Sequence, residues 1–305
     1  MDPLIHIGYA KTGSTFLQSN IFNENFGFYN PYDIYSSEII QKLILTNSFE
    51  YDALETRKFF EEKYKKSGEK NLCPVISAED LSGHLFANRN NYEKEISQRL
   101  KETFPNAKVL IVVREQKSII KSAWRHYLRK NGAQSISRFI GKKNIKDGFS
   151  PILRLDKLKY DLLVSYYQEL FGNENVLVLP FELLKVDQRG YITKILAFAG
   201  LELKNIKDLY EPENLSPKAI ELFICHKLGF FMHKDILGEK TAVVEKVINK
   251  VSRFFGLVTP NFINKKIEGS WEKYISEMTK DYYRDSNKKL SQLIGHDLRV
   301  HGYEL

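Results

Sequence analysis

A short loop near the start of the chain carries residue types that can hold an anion. It reads GYAKTGST from Gly8 onward and follows an apolar run. A Walker A phosphate loop needs glycine, four residues, a second glycine, lysine, and then serine or threonine. Gly8, Gly13 and Thr15 fit this spacing, but Ser14 stands at the lysine position and Lys11 lies inside the loop. The displaced lysine disfavours hydrolysis of ATP or GTP.

The position of this loop favours anion binding over the alternative, a plain strand-to-helix turn in which glycines permit tight bending. The run LIHI from Leu4 predicts a strand before the loop. Apolar residues at helical spacing from Phe16 predict a helix after it. Backbone N–H groups and the positive dipole end at a helix start attract phosphate-like groups. Because α/β proteins bind ligands where strands end, we expect such a group at this loop.

Arg114 is a second candidate for anion binding, directly after a strand that reads KVLIVV. The next residues predict a helix over 118–130 whose apolar stripe leaves Ser122 on the opposite face. A guanidinium and a hydroxyl together suit a phosphate. A solvated basic helix face is the alternative for this segment taken alone. Two anion sites on one sheet edge indicate a ligand with phosphates at two ends.

Strand and helix patterns alternate over the first 180 residues, which predicts an α/β fold with a parallel sheet flanked by helices. The predicted strands cover 4–7, 74–78, 108–113 and 175–180, and the predicted helices cover 51–66, 92–103, 118–130 and 156–171. The rest of the chain is mainly helical in pattern, with predicted helices over 181–184, 191–199, 217–228, 240–254 and 272–296. Residues 255–270 are predicted to be irregular. No linker composition interrupts the chain, so one domain over 1–305 is expected.

Composition favours an anionic ligand or surface without identifying it. The 305 residues include 46 Lys and Arg against 38 Asp and Glu, a net charge of +8. Cys73 and Cys225 have no metal-ligand spacing and no disulfide framework, which suits a reducing compartment. The N-terminal residues do not form a signal-peptide pattern, and no apolar run approaches the ~20 residues of a membrane span. A cytoplasmic location is therefore expected.

The two candidate anion sites resemble those of one enzyme family. The motif KTGSTFL from Lys11 is similar to the 5'-phosphosulfate loop of sulfotransferases that use 3'-phosphoadenosine 5'-phosphosulfate (PAPS). Arg114 followed eight residues later by Ser122 resembles the 3'-phosphate site of that family. LPFELL from Leu179 is similar to a strand–helix segment that often follows in the family, and the ending HGY resembles a terminus of many bacterial members. The chain as a whole resembles the bacterial, carbohydrate-type branch. Ala10 stands where many members have proline, which changes loop stiffness and not charge.

The resemblance implies a P-loop-like parallel sheet and an in-line displacement at sulfur. The sulfonate would pass from PAPS to an acceptor hydroxyl or amine, releasing adenosine 3',5'-bisphosphate (PAP). Lys11 is expected to contact the bridging oxygen on which negative charge develops. The acceptor is expected to be a glycan or glycolipid, and neither a metal nor a nucleic acid is expected. The residues expected to bind the donor are Lys11, Thr12, Gly13, Ser14, Thr15, Phe16, Arg114 and Ser122.

A general base must take the proton of the acceptor, and the resemblance implies a glutamate or a histidine. Glu79 is the first candidate, because it follows the predicted strand 74–78 and so lies at the same sheet edge. Asp80 and His84 follow closely, and His84 is the second candidate. The alternative is that Glu79 and Asp80 merely cap a helix start. His6, within the first strand, is expected to be a core histidine.

Three further interpretations stay open at this point. Residues 249–266 are basic and aromatic, and could form a lid, a glycan groove, a peripheral membrane-surface contact, or a partly packed helix and loop. The chain as a whole could be a nucleotide or small-molecule kinase, against which the missing Walker lysine counts. It could also be a non-catalytic basic protein that binds nucleic acid or an anionic membrane, although no nucleic-acid motif is present.

Overall fold

The chain is described from a computed structural model, which covers residues 2–32, 37–86, 92–141, 151–202, 216–229 and 242–305. The residues group into two compact units. The first unit comprises Met1–Glu115, Leu155–Tyr210 and Tyr283–Leu305. The second unit comprises Gln116–Arg154 and Glu211–Tyr282. The single domain predicted over 1–305 stays a prediction.

A parallel sheet forms the centre of the first unit. In the described residues its strands stand in the order β2-β3-β1-β4-β5, and every neighbouring pair is parallel. The strands are β1 (Leu4–Gly8), β2 (Phe28–Tyr29), β3 (Cys73–Ser77), β4 (Lys108–Val113) and β5 (Val176–Pro180). The predicted α/β fold class, a P-loop-like parallel sheet flanked by helices, is confirmed. Of the strands in the described residues, the sequence pattern missed the two-residue strand β2 at the sheet edge, which is too short to show a period.

Burial explains why the sheet could be predicted from sequence. Residues Val109 to Val113 of β4 are 0% exposed. Successive side chains of a strand point to opposite faces, so a strand buried throughout has protein on both sides. On one face, Leu110 and Val112 share a hydrophobic cluster with Tyr191 and Ile195. The near-continuous β-branched run of β4 therefore corresponds to the central position that it predicted.

Helices account for most of the remaining described residues, and none of those described has the length and apolar content needed to cross a bilayer. The first helix, over Ser14–Phe16, continues into a π-helical turn over Leu17–Ile21. Two 3-10 turns cover Glu79–Ser82 and Leu155–Leu158. In chain order the α-helices are α1 (Ser14–Phe16), α2 (Ser37–Ile40), α3 (Ala53–Glu69), α4 (Glu93–Thr103), α5 (Gln116–Arg129), α6 (Ile136–Ile140), α7 (Tyr160–Phe171), α8 (Phe181–Val186), α9 (Gln188–Ala199), α10 (Ala219–Gly229), α11 (Ala242–Val258), α12 (Asn261–Thr279) and α13 (Arg284–Ile294).

Two predictions about the C-terminal region were wrong in detail. Residues 255–270 are not irregular, because α11 continues to Val258 and α12 begins at Asn261, directly after Pro260. Proline suits a helix start, where its missing N–H has no partner to lose. The predicted helix over 272–296 is two helices, α12 and α13, separated near Asp281, whose φ is 59°. The mainly helical character of this region is confirmed.

In the second unit, α5 packs against α10 and α12. The buried ring of Trp124 on α5 lies 6.3 Å from that of Trp271 on α12. Arg125 forms an ion pair with Glu268 at 2.5 Å, and Lys121 pairs with the same carboxylate at 3.1 Å. The polar face predicted for α5 is therefore partly joined to α12 by ion pairs. The helix begins at Gln116, two residues before the predicted start at residue 118.

Candidate functional site

The loop after β1 has an unusual backbone at the lysine that the sequence singled out. Lys11 has a φ of 74° and Gly13 a φ of 85°. Thr12 closes the turn between them, donating its N–H to the carbonyl of Tyr9 at 3.2 Å and its hydroxyl to the same oxygen at 2.6 Å. A non-glycine residue adopts positive φ only when its surroundings hold it there, and such residues concentrate at binding sites. The loop is thus a fixed turn with Lys11 at its bend.

Phe181, the first residue of α8, forms the wall behind the loop. A methyl group at Gly13 would lie 2.7 Å from Cε2 of Phe181, so close packing and positive φ both require glycine there. The guanidinium carbon of Arg114 lies 5.0 Å from the centre of the Phe181 ring, and Nζ of Lys185 lies at the same distance. Sequence reasoning missed the role of Phe181. Its position directly after β5, at the edge where Arg114 follows β4, was the available signal.

Arg114 binds the loop directly. Its Nη1 donates to the carbonyl oxygen of Lys11 at 2.8 Å, which brings together the two residues that the sequence placed at separate strand ends. Nε of Arg114 is buried and has no hydrogen-bond partner among the described residues. Burial lowers the pKa of Arg114, but a guanidinium remains charged at neutral pH. A buried cation with an unsatisfied N–H is suited to an anionic ligand.

Glu79 also reaches the loop. It heads the 3-10 turn that follows β3, and its carboxylate accepts a hydrogen bond from the hydroxyl of Ser14. Burial raises the pKa of Glu79, while the Ser14 hydrogen bond and the charge of Lys11 act in the opposite direction. Ser82, in the same turn, donates its hydroxyl to the carbonyl of Gly8 at 3.2 Å. Lys11, Ser14 and Glu79 therefore converge on one side of the loop.

His84, the second candidate for the general base, is engaged elsewhere. Its Nδ1 accepts a hydrogen bond from the N–H of Phe86 at 3.2 Å. Its Nε2 lies 3.8 Å from a carboxylate oxygen of Asp80. The structure therefore connects Glu79 to the loop hydroxyl and directs the imidazole of His84 towards Asp80.

The remaining predicted donor-binding residues lie in different surroundings. Thr15 is exposed on α1, and Phe16 is half-buried against the hydrophobic cluster. Ser122 is half-buried on α5 and belongs to the second unit, whereas Arg114 belongs to the first. The described residues contain no group of three metal-ligating side chains.

A buried polar network lies beneath the loop. Gln18 donates its amide to the hydroxyl and the carbonyl of Ser77, at 3.0 and 3.1 Å. The Ser77 hydroxyl lies 2.7 Å from Nδ1 of His6. Gln18, Ser77 and His6 thus form one chain of buried hydrogen bonds beneath the loop. His6 is buried, as expected of a core histidine, but it also ties β1 to β3 two residues before Glu79.

This network predicts a pH-dependent stability. Burial lowers the pKa of His6 from 6.5 to about 3. Between these two pH values the histidine is protonated in the unfolded chain and neutral in the folded chain. Stability should fall as pH drops from 6.5 towards 3, by about 1.4 kcal/mol per pH unit from this residue. Urea unfolding of the wild type and of His6→Gln at several pH values measures this effect. The pH dependence that comes from all other groups cancels in the difference between their free energies of unfolding. Parallel curves for the two proteins would contradict the buried neutral histidine.

Comparisons with known proteins identify the family. The model of the family described as "Sulfotransferase domain" matches residues 1–295. The chain therefore belongs to the sulfotransferase family and is a sulfotransferase. A comparison with curated proteins finds none that matches this chain.

One solved structure supports the fold, and two others are less similar. The sulfotransferase from Alicyclobacillus acidocaldarius is similar over 99% of both chains, with a TM-score of 0.56 and 17% identity. The sulfotransferase domain from the curacin biosynthetic pathway covers 91% of this chain and 97% of its own, with a TM-score of 0.44 and 11% identity. The mouse sulfotransferase SULT7A1, complexed with PAP, covers 94% and 88%, with a TM-score of 0.41 and 17% identity.

Proposed function

We propose that this sulfotransferase takes its sulfonate from PAPS and transfers it to a hydroxyl or amine of a glycan or glycolipid, releasing PAP. The observation that carries the proposal is the arrangement of Lys11, Ser14, Arg114 and Glu79 around one loop at the sheet edge. Sulfonate transfer requires a cation at the loop, a second cation beside it and a carboxylate near the loop that can take a proton.

The site suits a donor with phosphates at two ends. The start of α1 offers backbone N–H groups without an intrahelical partner, and Thr12 to Phe16 would hold the 5'-phosphosulfate there. The unsatisfied Nε of Arg114 supports a second anion beside the loop. Arg114 would hold the 3'-phosphate, the feature that separates PAPS from ATP. Ser122 is assigned to the same phosphate by the resemblance alone.

Two side chains would carry the chemistry. As the bond from sulfur to the bridging phosphate oxygen breaks, Lys11 would stabilise the charge that gathers on that oxygen. As the acceptor oxygen or nitrogen bonds to sulfur, Glu79 would take its proton. Burial raises the pKa of Glu79, which moves this carboxylate closer to the basicity that a general base needs near neutral pH. The hydrogen bond from Ser14 would keep it oriented.

The acceptor class and the location complete the proposal. A glycan or glycolipid is supported by analogy with cytoplasmic relatives of the family, and the reaction requires no metal or nucleic acid. A cytoplasmic location is supported by the two cysteines, Cys73 and Cys225, neither of which forms a disulfide.

Nucleotide binding and radiolabel transfer test the proposal together. Titration calorimetry should show that PAP binds about 100-fold more tightly than adenosine 5'-monophosphate, because charge-assisted phosphate contacts are strong. Sulfur-labelled PAPS with a panel of glycans, glycolipids and phenols should yield a labelled carbohydrate. Tight ATP–magnesium binding without preference for a 3'-phosphate would instead favour a kinase. Salt-sensitive anion binding without any transfer would favour a non-catalytic protein.

Arg114→Ala should weaken PAP binding by about 10- to 100-fold, since a charged hydrogen bond contributes about 1.5–3 kcal/mol. Binding of adenosine 5'-monophosphate, which lacks the 3'-phosphate, should change by less than about threefold. This second ligand is the control for loop geometry, because Arg114 also binds the Lys11 carbonyl. Equal losses for both nucleotides would mean that Arg114 only shapes the loop. Arg114→Lys should recover part of the PAP affinity.

A further inference from the structure

Helix α11 of the second unit has its apolar side facing solvent. At 100° per residue, five hydrophobic residues fall on one face. Their exposed fractions lie between 37% and 59%, far above those of core residues. These residues are Val247, Val251, Phe254, Phe255 and Val258. The apolar side continues past the end of the helix, because Phe262 at the start of α12 is 68% exposed.

The buried side of α11 is narrow and mostly small or polar. Over 246–258, where side chains are described, it consists of Ile248, Ser252 and Gly256, four residues apart. The side chain of Glu221 on α10 lies over Gly256, in the space that a methyl group at this position would need. The buried side therefore holds one large apolar residue, Ile248, beside two small ones. The five residues of the apolar face keep 37–59% of their surface exposed, so this surface is available to another partner.

Positive charge accompanies the apolar face. From Lys246 to Ile267 the sequence contains five basic and no acidic residues. Lys246, Lys250 and Arg253 share the side of α11 next to the apolar face, and all three are exposed. Lys265 and Lys266 follow Phe262 on α12 and are also exposed. We call the exposed residues between 246 and 266 the outer surface of α11.

We propose that the outer surface of α11 docks on an anionic phospholipid bilayer. Exposed aromatic and aliphatic residues beside a row of lysines and arginines match an interfacial helix, whose apolar side enters the headgroup region while its cations meet lipid phosphates. A nucleic acid would use the charges but leave the apolar face in water. A protein partner with a matching apolar surface would have to desolvate the neighbouring cations. Docking of this surface on a membrane is independent of the donor and acceptor that the first loop takes.

Vesicle binding tests this proposal on the full chain. The protein should float with phosphatidylcholine vesicles that contain phosphatidylglycerol, about tenfold more tightly than with phosphatidylcholine alone. High salt should weaken the binding, since screening acts on the charges. Equal or absent binding to the two kinds of vesicle would overturn the proposal.

Paired variants separate the outer surface from the rest of the molecule. Phe254→Ser with Phe255→Ser should lower vesicle affinity by about tenfold. The matched control is Phe49→Ser with Leu54→Ser, which removes two exposed apolar residues of the first unit and should leave affinity unchanged. All four side chains are exposed, so thermal unfolding should be unaltered.

A second pair tests the charges. Lys250→Glu with Arg253→Glu should weaken binding by about tenfold or more. Lys65→Glu with Lys66→Glu on α3 makes the same change in net charge at exposed positions and should have little effect. Equal losses of vesicle affinity in the two double variants would mean that only the net charge of the protein matters, and would overturn the proposal. Sedimentation is the last arm: if the phenylalanine variant dissociates a dimer but keeps vesicle binding, the outer surface joins two copies and the proposal fails.

Discussion

Lys11→Ala is expected to lower the turnover of sulfonate transfer by about 10²- to 10³-fold, the usual cost of removing a group that stabilises charge only in the transition state. Lys11 stands at the bend of the loop with a φ of 74°, and its carbonyl is held by Arg114 at 2.8 Å. These contacts belong to its backbone, so the substitution removes the amine and leaves the turn. Initial rates at saturating donor, with PAP affinity measured separately, check the expectation.

Two variants separate the charge of Lys11 from the strain of its backbone. Lys11→Gly relieves the positive φ, whereas Lys11→Ala retains it. Both should be equally inactive if the amine is what matters. Lys185→Ala removes another cation that lies 5.0 Å from the Phe181 ring and should lose less than about tenfold. A glycine variant with near wild-type turnover would show that Lys11 shapes the loop and does not act on the donor.

The parts of the fold that could be predicted are those determined by local pattern. The apolar run of β4 predicts a strand with protein on both faces, and its residues from Val109 to Val113 are indeed inaccessible to solvent. The glycine, lysine and hydroxyl residues of the first loop also lie within one short segment, so their spacing can be recognised from the sequence. This is why the loop and Arg114 could be singled out as neighbours at the sheet edge.

The parts that could not be predicted depend on contacts between distant segments. Phe181 fills the space behind Gly13 because β5 stands next to β4, a neighbour relation that no single segment encodes. The network of His6, Ser77 and Gln18 needs three elements together.

The exposed apolar face of α11 could not be predicted for another reason. Pattern reasoning assigns the apolar face of a helix to the interior, and here that face is exposed. The sequence thus showed the basic and aromatic character of 249–266. It did not show that α11 extends to Val258 and that α12 begins at Asn261 within this segment.

Glu79→Gln is expected to lower turnover by about 10²- to 10⁴-fold, the range attributed to a positioned general base. PAP affinity should change by less than about threefold, because the carboxylate is assigned to the acceptor side of the reaction. The amide can still accept the hydrogen bond from Ser14, so the loop is retained. Single-turnover rates with preloaded donor measure the chemical step.

The pH profile gives the sharper test, because neighbours of Glu79 shift its pKa in opposite directions. A general base works only when ionised, so wild-type turnover should rise with pH through the pKa of Glu79, which burial raises above that of an exposed glutamate. Ser14→Ala removes a hydrogen bond that lowers this pKa, so the rise should move to higher pH. Asp80→Asn removes a negative charge that raises it, so the rise should move to lower pH.

The two shifts must have opposite signs if Glu79 is the base, and a purely structural role for Ser14 or Asp80 would move neither. His84→Gln is the matched control, since His84 is the other candidate and contacts Asp80 at 3.8 Å. If the acid limb persisted in Glu79→Gln and disappeared in His84→Gln, the base would be His84. The contact with Ser14 would then serve only to hold the loop against the 3-10 turn after β3.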